Sequence, residues 1–362
     1  MNSPALADLP FVADKTGFPW MEGSEVPPQY VTQNLPKISI ITPTFNQGNY
    51  IEATIRSVLL QNYPNLEYII IDGGSTDNTL EIIKKYAHFI HFWVSEPDNG
   101  QSDAINKGLQ RATGDVFNWL NSDDLLAPNA LWTIGKAFSD KPKTSALIGY
   151  MQFFDDKNVL SKPYRMPFDH QDVPKTLISV SLMTQPALFY RLDLVQLLWG
   201  VDRRLYYCMD LDLWIRFVAQ FGAEHIEFTD NSLSHFRVHA LAKSHNSSAA
   251  YNERRAVFLP MLASLNVPKY LLKKLNNGTN NGLNNDLNSL NFDEKWNFPA
   301  SFLHQTQTVT AYIIEHLLIF PHYNYPILTV FEAWFFSFYK KPFGRRWYFY
   351  SLPLRFVYRK IK

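Results

Sequence analysis

The stretch ISIITPTFNQGNYIEATIRSVLLQNYPNLEYIIIDGG, residues 38–74, holds two apolar runs separated by a helical pattern. The first run is residues 38–41, and Pro43 is expected to end that strand. Residues 51–59 repeat apolar side chains every three or four positions, which is typical of an amphipathic helix. A second run, residues 68–71, ends in Asp72 before two glycines. A strand, a helix and a strand in this order predict a βαβ unit with parallel strands.

The same alternation continues downstream of residue 74. NTLEIIKKY (78–86) and QSDAINKGLQRA (101–112) have helical spacing, whereas IHFWV (90–94) and DVFNWL (115–120) are strand-like. Strands that alternate with helices of about a dozen residues favour a mostly parallel sheet covered by helices on both faces. The sequence therefore predicts an α/β fold of Rossmann-like type.

Each predicted strand ends in polar residues. Ligands of such sheets bind outside the carboxyl ends of the strands, where these side chains would meet. We therefore expect one functional site at this edge of the sheet. The polar residues that follow the four strands are Thr44 and Asn46, then Asp72, then Glu96 and Asp98, and finally Asp123 and Asp124.

Composition excludes several classes of protein. The 362 residues contain 34 Lys+Arg and 33 Asp+Glu, so net charge indicates no particular partner. A single cysteine, Cys208, excludes an internal disulfide framework and a cysteine-rich zinc site. The first ten residues lack the basic and apolar regions of a secretory signal, and no apolar stretch reaches about 18 residues. We expect a cytoplasmic protein.

Three regions differ in character. Residues 1–36 contain six prolines and no steady periodicity, and they are predicted to be an extended leader lying on the domain. Residues 37–250 carry the α/β pattern. Residues 251–362 are predicted to be a helical extension, interrupted by the Asn-rich loop 276–291, NNGTNNGLNNDLNSLN.

Asp123 and Asp124 allow two interpretations on their own. Asp is favoured just before a helix, and LLAPNALWTIGKAF (125–138) looks helical, so the acids could be a capping pair. Alternatively, their carboxylates could hold a divalent cation that bridges two phosphates. The motif by itself does not choose between the two.

Three ordered motifs carry a resemblance to a known family. They are the 38–79 segment that ends in DGGSTDNT, DNGQSDAINKGLQRATGD (98–115) and NSDD (121–124). Together they resemble an inverting family-2 glycosyltransferase of the GT-A fold, over about residues 37–245. This resemblance implies a sugar-nucleotide donor, a metal and diphosphate held by a short acidic motif, and a single catalytic base.

The resemblance also implies roles for residues at the first three strand ends. Thr44 and Asn46 would line the nucleotide pocket, and Asp72 would accept a hydrogen bond from the base; the alternative for Asp72 is a turn residue before Gly73. Asp103 and Lys107 would lie beside the donor. Their spacing of four residues on a helix also fits a solvated ion pair.

The metal, Mn²⁺ or Mg²⁺, is implied at the acidic motif. Asp124 matches the metal-binding position, and Asp123 would contact the ribose or the metal shell. In SLSHFRVHALAKSH (232–245) the pattern favours a strand, and His239 matches the family histidine that reaches the metal or diphosphate. His235 and His245 are interpreted as structural or surface residues. A helical zinc pair at His235 and His239 is the weaker alternative, since no third ligand is evident.

Two further motifs contribute acceptor and catalytic residues. Gln185 of SLMTQPALFYR resembles the family's Gln-Pro element and would line the acceptor cleft, with a plain turn as the alternative. Asp210 of MDLDLWIRF matches the catalytic carboxylate, with a helix cap as the alternative, and a helix N-terminus favours its ionised form. Asp212 lies four residues before Arg216, which predicts a surface salt bridge.

The C-terminal segment 331–362 combines 13 aromatic and 8 basic residues with one acid, Glu332. Basic side chains interleaved with aromatic ones suit a membrane surface with anionic lipids. The alternative is an aromatic helical subdomain packed on the core. The resemblance disfavours nucleic acid as the partner.

These observations predict a metal-dependent inverting glycosyltransferase with a uridine sugar nucleotide as the expected donor. The acceptor would be a hydroxyl of a surface polysaccharide or a lipid-linked glycan, at the inner face of the cell membrane. A sugar-nucleotide nucleotidyltransferase is a rival, but TPTFNQGNY (42–50) lacks the basic residue expected after its first strand. A non-catalytic sugar-nucleotide-binding protein is the other rival.

Overall fold

A computed structural model describes residues 4–24, 35–155, 160–170, 173, 176–177, 183–240, 242–243, 247–264 and 267–276. The Asn-rich loop beyond residue 276, the aromatic and basic segment 331–362, and His245 lie outside the described residues. The chain divides into two compact units. The first contains residues 1–166, 182–213 and 224–242, and the second contains residues 167–181, 214–223 and 243–362.

Strands and helices alternate as predicted in the first part of the chain, where residues 38–109 follow the order strand, helix, strand, helix, strand, helix. The strands are β1 (Ile38–Thr44), β2 (Leu66–Asp72), β3 (Phe92–Ser95), β4 (Val116–Trp119), β5 (Leu125–Leu126), β6 (Ala146–Phe154), β7 (Leu188–Arg191) and β8 (Ile226–Arg237). The helices are α1 (Ile51–Leu59), α2 (Thr79–Tyr86), α3 (Gln101–Leu109), α4 (Ala130–Asp140), α5 (Leu192–Leu197), α6 (Met209–Phe221), α7 (Ser247–Ser264) and α8 (Lys269–Asn276).

The first unit is built on an eight-stranded sheet of order β3-β2-β1-β4-β7-β6-β8-β5. β3, β2, β1 and β4 are parallel neighbours, and β6 pairs in parallel with β8. β7 is antiparallel to both β4 and β6, and β5 is antiparallel to β8. The predicted α/β fold with a mostly parallel sheet is confirmed.

The apolar pattern of the sequence explains the core. All seven residues of β1 are buried, as are six of the seven in β2, because strands covered on both faces need apolar side chains on both. On α1 the positions predicted to face the core are at most 1% exposed, with Ile55 and Val58 at 0%. Pro43 does not end β1, contrary to the prediction: β1 continues to Thr44. Pairing with β4 stops at Ile41, so the proline ring disturbs no bond on that side.

The capping interpretation of Asp123 and Asp124 is wrong. The helix expected from residue 125 begins only at Ala130, with Asn129 at its N-cap. Residues 125–126 instead form β5, which pairs with His235 and Ser234 of β8. The two acids therefore precede a strand.

The N-terminal segment 4–24 lies against α1 and is held by the buried Arg56. The guanidinium donates to the carbonyl oxygens of Pro10, Pro19 and Trp20 at 2.9–3.1 Å, and to the Tyr86 hydroxyl at 3.1 Å. Arg56 is 2% exposed. Because each of the three guanidinium nitrogens donates to at least one acceptor, this buried charge is hydrogen-bonded and ties the segment to the domain.

In the second unit, Trp214 packs edge-on against Phe168 and stacks with Phe217, with ring centroids 5.7 and 6.4 Å apart. Apolar residues of α7 and α8, among them Phe258 and Leu271, are fully buried. No helix among the described residues is long and apolar enough to cross a membrane.

A buried carboxylate at the amino ends of β1 and β2 contributes to stability. Glu67 is 0% exposed and accepts hydrogen bonds from Lys37 Nζ (2.6 Å), Ser39 Oγ (2.6 Å), and both Thr113 N and Thr113 Oγ1 (2.7 Å). Burial alone raises the pKa of Glu67, but these hydrogen bonds outweigh it and lower the pKa to about 2. This cluster lies at the sheet edge opposite the predicted site.

We expect Glu67→Gln to lower the free energy of unfolding by about 3 kcal/mol at pH 6. A depressed carboxyl pKa stabilises the folded state above the unfolded pKa near 4.5, and this stability is lost as pH falls from there toward 2. Urea unfolding between pH 6 and 3 should therefore show the two proteins converging. Glu227→Gln, which removes an exposed pair with Lys141, is the control and should cost at most about 1 kcal/mol. If the difference in free energy of unfolding between Glu67→Gln and the wild type stays constant down to pH 3, the stabilising role of ionised Glu67 is contradicted.

Candidate active site

The carboxyl ends of the first strands lie on one edge of the sheet, as predicted. Thr44 of β1 is in register with Asp72 of β2, and Asp72 is in register with Ser95 of β3. β4 runs in the same direction and ends at Trp119, next to Ile41. The segments that follow all four strands therefore start from the same edge, and they carry the predicted site residues.

Asp72 organises the turn that follows β2. The residue is 0% exposed, and its carboxylate accepts from Ser75 N (3.0 Å), from Ser75 Oγ and from Ser95 Oγ (2.6 Å). These bonds fix the Gly73–Ser75 turn and join it to the end of β3. A ligand at this edge would meet the turn that Asp72 shapes.

Asn46 joins the loop after β1 to the same turn. Its N–H donates to Ser75 Oγ at 2.7 Å, and its Oδ1 accepts from Thr76 N at 2.8 Å. Asn46 has φ +53°, a left-handed conformation that asparagine tolerates better than most residues. Thr44 is buried, and its Oγ1 has no hydrogen-bond partner among the described residues. The first two strand ends thus form one hydrogen-bonded surface.

Asp98 is a further acid at this edge, predicted from the sequence only to follow the end of a strand. A Cβ on Gly73 would lie 2.7 Å from Asp98 Oδ2, so the carboxyl sits directly over the glycine. Burial raises the pKa of Asp98. The hydrogen bond from Gly100 N–H and the positive charge of Lys107 lower this pKa, but the effect of burial is larger. Only a glycine at position 73 permits this contact. The spacing of residues in the sequence does not show that Gly73 and Asp98 meet.

Asp103 and Lys107 hold the turn that carries Asp98. Asp103 Oδ2 accepts from Asn99 N at 3.2 Å, while Lys107 Nζ contacts Glu96 Oε1 at 2.9 Å and Pro97 O at 3.2 Å. Lys107 Nζ lies 4.0 Å from Asp103 Oδ2. The shorter contacts of Lys107 are therefore with residues 96–97. The predicted ion pair between Asp103 and Lys107 accounts for only part of the contacts of Lys107.

The acidic motif places its two carboxylates in different surroundings. Asp124 is 1% exposed; its Oδ1 accepts from Arg237 N at 2.9 Å and its Oδ2 from Asn121 Nδ2 at 3.3 Å. Burial and the neighbouring charge of Asp123 raise the pKa of Asp124 well above its usual range. Asp123 Oδ2 instead lies 2.9 Å from His239 Nε2. The structure thus brings Asp123, Asp124 and His239 to one place.

Aromatic and basic residues surround this cluster. The Tyr50 ring lies 4.6 Å from the His239 ring, and the Arg237 guanidinium lies 5.1 Å from Tyr50 and 4.3 Å from Phe154. Arg237 Nε also donates to Asp123 O at 2.9 Å. Sequence reasoning did not assign Tyr50 or Arg237. Arg237 was visible only as a basic residue on the same predicted strand face as His239.

The histidines near this cluster differ in role. β8 extends through Arg237, so His235 and His239 do not lie on one helical turn, and the zinc-pair interpretation is wrong. Burial lowers the pKa of His235 to about 4, as expected for a structural histidine. His239 is buried, and its Nδ1 has no hydrogen-bond partner among the described residues.

Gln185 lies at the neighbouring end of β4. Its Nε2 donates to Asn118 Oδ1 (2.9 Å) and to Trp119 O (2.7 Å), and Asn118 Nδ2 donates to Pro186 O (3.2 Å). Gln185 is 7% exposed. Through these bonds the turn at residues 185–187 is attached to the strand that leads into the acidic motif.

Asp210 is the second residue of α6, and its Oδ1 accepts from Leu211 N at 2.7 Å. The residue is half-buried. Asp212 is only 4% exposed, so the surface position predicted for it is wrong, while its pairing with Arg216 stays a prediction. Helical spacing correctly predicted the buried face that includes Leu211, but Leu213 on another face is also buried, so the first turns of α6 have little exposed surface.

The chain is similar to known glycosyltransferases in sequence and in fold. The family model Glycosyl transferase family 2 matches residues 39–199. The chain is 27% identical over 245 residues to an uncharacterized glycosyltransferase of Rickettsia typhi, covering 66% of this chain and 76% of that protein. It is 35% identical over 135 residues to the putative teichuronic acid biosynthesis glycosyltransferase TuaG of Bacillus subtilis, covering 36% and 54%.

Solved structures of similar fold include S. aureus TarS 1–349, with a TM-score of 0.51 and 18% identity over 78% of this chain and 81% of that one. The same protein in complex with UDP matches with a TM-score of 0.51 over 77% and 80% of the two chains. At this identity the likeness shows a shared fold.

Proposed function

We propose, from the premise that the chain belongs to glycosyltransferase family 2, that it moves a sugar from a nucleotide-diphospho-sugar to an acceptor hydroxyl. The observation that carries the proposal is the contact of Asp123 with His239 beside the buried Asp124. Two acids and a histidine at the carboxyl edge of a parallel sheet suit a diphosphate and its cation. The expected donor is a UDP-sugar, which is supported by the fold shared with a protein solved with UDP.

The nucleotide is proposed to lie over the ends of β1, β2 and β3. Thr44 offers a buried hydroxyl without a partner in the described part of the chain, and Asn46 offers an exposed side chain at the loop that follows. Asp72 would position the Gly73–Ser75 turn, and this turn would contact the nucleobase of the donor. Asp103 and Lys107 would act from beside the donor by holding the Asp98 turn, since both contact its backbone.

The residues of the acidic motif fit a divalent cation, Mn²⁺ or Mg²⁺. A carboxylate and an imidazole are ligands that Mn²⁺ accepts, and a cation beside Asp124 would offset the repulsion from Asp123 that raises the pKa of Asp124. Asp124 and His239 would hold the ion, with Asp123 in its outer shell or on the ribose. No group of three or more such ligands occurs among the described residues, so substrate phosphates and water would complete the shell. When bound, the ion would neutralise the charge of the leaving diphosphate.

Asp210 is proposed as the general base. Its position in the first turn of α6 favours the carboxylate form, because the helix N-terminus is the positive end of the helix dipole. The carboxylate would take the proton of the acceptor hydroxyl while the hydroxyl oxygen attacks the anomeric carbon and the bond to the diphosphate breaks on the opposite face. One displacement inverts the configuration at that carbon. Gln185 would lie on the acceptor side.

A binding screen tests the proposal. UDP-N-acetylglucosamine, UDP-glucose, UDP-galactose and GDP-mannose are each added to the full chain with MnCl₂ or with EDTA, and melting temperature and calorimetric affinity are measured. We expect a UDP-sugar to raise the melting temperature in Mn²⁺ and to bind much more weakly in EDTA. Equal donor affinity with and without the cation would overturn metal dependence, and the lack of binding by any sugar nucleotide would overturn the donor assignment.

The acceptor and the place of action complete the proposal. A surface glycan is proposed because the similar TuaG protein is described as a putative teichuronic acid biosynthesis glycosyltransferase. Contact of residues 331–362 with an anionic membrane stays a prediction, which co-sedimentation of the full chain with anionic vesicles tests against a form that ends at residue 325.

A further inference from the structure

One face of α3 holds a distant segment of the same unit. Ser102, Asp103 and Asn106 are spaced so that their side chains lie on the same side of the helix. All three are at most 7% exposed. Their partners lie in residues 200–208, the segment that joins α5 to α6, which we call the α5–α6 segment. The contacts connect residues about a hundred positions apart.

Asn106 binds both polar groups of one backbone residue in this segment. Its Oδ1 accepts from Val201 N at 3.0 Å, and its Nδ2 donates to Val201 O at 2.8 Å. Gly200 has φ +75°, and a Cβ there would lie 2.3 Å from Asn106 Oδ1. Both the backbone conformation and the close approach therefore require glycine at position 200. The start of the segment is fixed in position and orientation.

Two more contacts fix the rest of the segment. Ser102 Oγ donates to Leu205 O at 2.6 Å, and Asp103 Oδ1 lies 3.2 Å from Arg203 Nε. The Tyr206 ring lies 4.0 Å from the position of a Cβ on Gly100, just before the first residue of α3. The segment is thus attached to α3 at Val201, Arg203 and Leu205 in succession.

The α5–α6 segment leads directly into the helix that carries Asp210. Cys208 is its last residue, and α6 begins at Met209. Only four residues separate the anchored Leu205 from Asp210, so a shift of the anchored carbonyl would move the start of α6. Misplacing a catalytic group by about 1 Å can cost about 100-fold in rate.

We propose that Ser102, Asp103 and Asn106 are positioning residues that hold the α5–α6 segment and thereby set the place of the general base. This inference rests on the proposed function for the role of Asp210. In this proposal the buried face of residues 101–106 (QSDAIN) holds the α5–α6 segment. The turn at residues 96–100 lies instead at the proposed donor side. Removing the Ser102 or the Asn106 anchor should therefore slow turnover without weakening nucleotide binding, whereas Asp103 also holds the Asp98 turn and is not used in the test.

The single cysteine of the chain reports on the anchoring without any need for activity. Cys208 is 4% exposed, so its thiol should react slowly with a disulfide reagent such as DTNB in the native full-length chain. We expect Asn106→Ala, which removes both bonds to Val201, to raise the reaction rate at least tenfold. Ser102→Ala, a milder change, should raise it severalfold. An unchanged rate in both variants overturns the proposal.

Asn65→Ala is the matched control. It also removes a hydrogen bond from an asparagine side chain to a distant backbone carbonyl, here Leu35 O at 2.7 Å, but far along the chain from the α5–α6 segment. Its thiol rate should stay within twofold of the wild type. A rise as large as in Asn106→Ala would mean that general destabilisation, and not loss of the anchor, exposes Cys208, and would overturn the proposal.

Kinetics then separate positioning from donor binding. Turnover is measured as hydrolysis of UDP-N-acetylglucosamine, and donor affinity is measured by calorimetry with UDP. We expect Ser102→Ala and Asn106→Ala to lower kcat 10- to 100-fold. Their affinity for UDP should stay within twofold of the wild type. Weaker UDP binding with unchanged kcat would place this face in donor binding and overturn the proposal. If the wild type binds neither UDP nor any sugar nucleotide, the proposed function fails, while the thiol rates still decide whether α3 holds the segment.

Discussion

We expect Asp210→Asn to lower kcat of sugar transfer by about 10² to 10⁴, the usual contribution of a general base. Asparagine has nearly the same shape, and its amide oxygen can still accept from Leu211 N, the contact that Asp210 Oδ1 makes at 2.7 Å. The substitution therefore removes the proton acceptor and leaves the local structure in place. Steady-state rates, calorimetric affinity for UDP and urea unfolding together test the expectation, and affinity and stability should change little.

Asp193→Asn is the matched control for this variant. Asp193 also lies in the first turn of a helix, and its Oδ1 accepts from Leu194 N at 2.8 Å, but its side chain is exposed and no role is proposed for it. The control should retain full activity. Asp212 serves this purpose less well, because its burial means that Asp212→Asn can change stability as well as rate. An active Asp210→Asn enzyme would assign the base to another residue.

Asp124→Ala is expected to abolish measurable turnover and to remove the effect of EDTA on donor binding. The substitution deletes a proposed ligand of the cation and the acceptor of the Arg237 N–H. Without the ion, the diphosphate charge would be unopposed at a site that already contains Asp123. Calorimetry with UDP in MnCl₂ and in EDTA should give the same weak affinity for the variant, in contrast to the wild type.

A second substitution separates the charge of Asp124 from its hydrogen bonds. Asp124→Asn keeps an oxygen for Arg237 N, gives up only the longer bond from Asn121 Nδ2 and carries no charge, so it should fold and lose Mn²⁺-dependent binding. Asp140→Asn, which changes an exposed acid paired with Lys136, is the control and should behave like the wild type. Mn²⁺-dependent donor binding that survives in Asp124→Asn would assign the ion to other ligands, Asp123 and His239 first among them.

Local pattern was sufficient for most of the first half of the fold. Two apolar runs around a helical repeat predicted β1, α1 and β2, because these strands are buried on both faces and the helix has one buried face. The rule that parallel strands end at a common edge then predicted where Thr44, Asp72 and the acidic motif would meet. Spacing also predicted the buried face of α6 that includes Leu211.

Predictions failed where a long-range contact overrides local preference. Residues 125–126 look like the start of a helix, but they pair with His235 and Ser234 of β8, more than a hundred residues later. Asp212 looks like an exposed helix acid, but it is only 4% exposed. Neither the strand pairing of residues 125–126 nor the burial of Asp212 can be identified from a window of a dozen residues, since helix periodicity records only which side of a helix is apolar.

The sequence by itself determined the α/β class, the edge of the sheet where the strand-end polar residues meet, and the acids and histidine that approach one another there. Only the tertiary structure decided that Asp124 is buried under the Arg237 amide while Asp123 contacts His239, and that α3 anchors Val201 and Leu205. The physical reason is that hydrophobic periodicity is a local property of the chain. Directed contacts between polar groups depend instead on how the strand ends and the segments after them pack together.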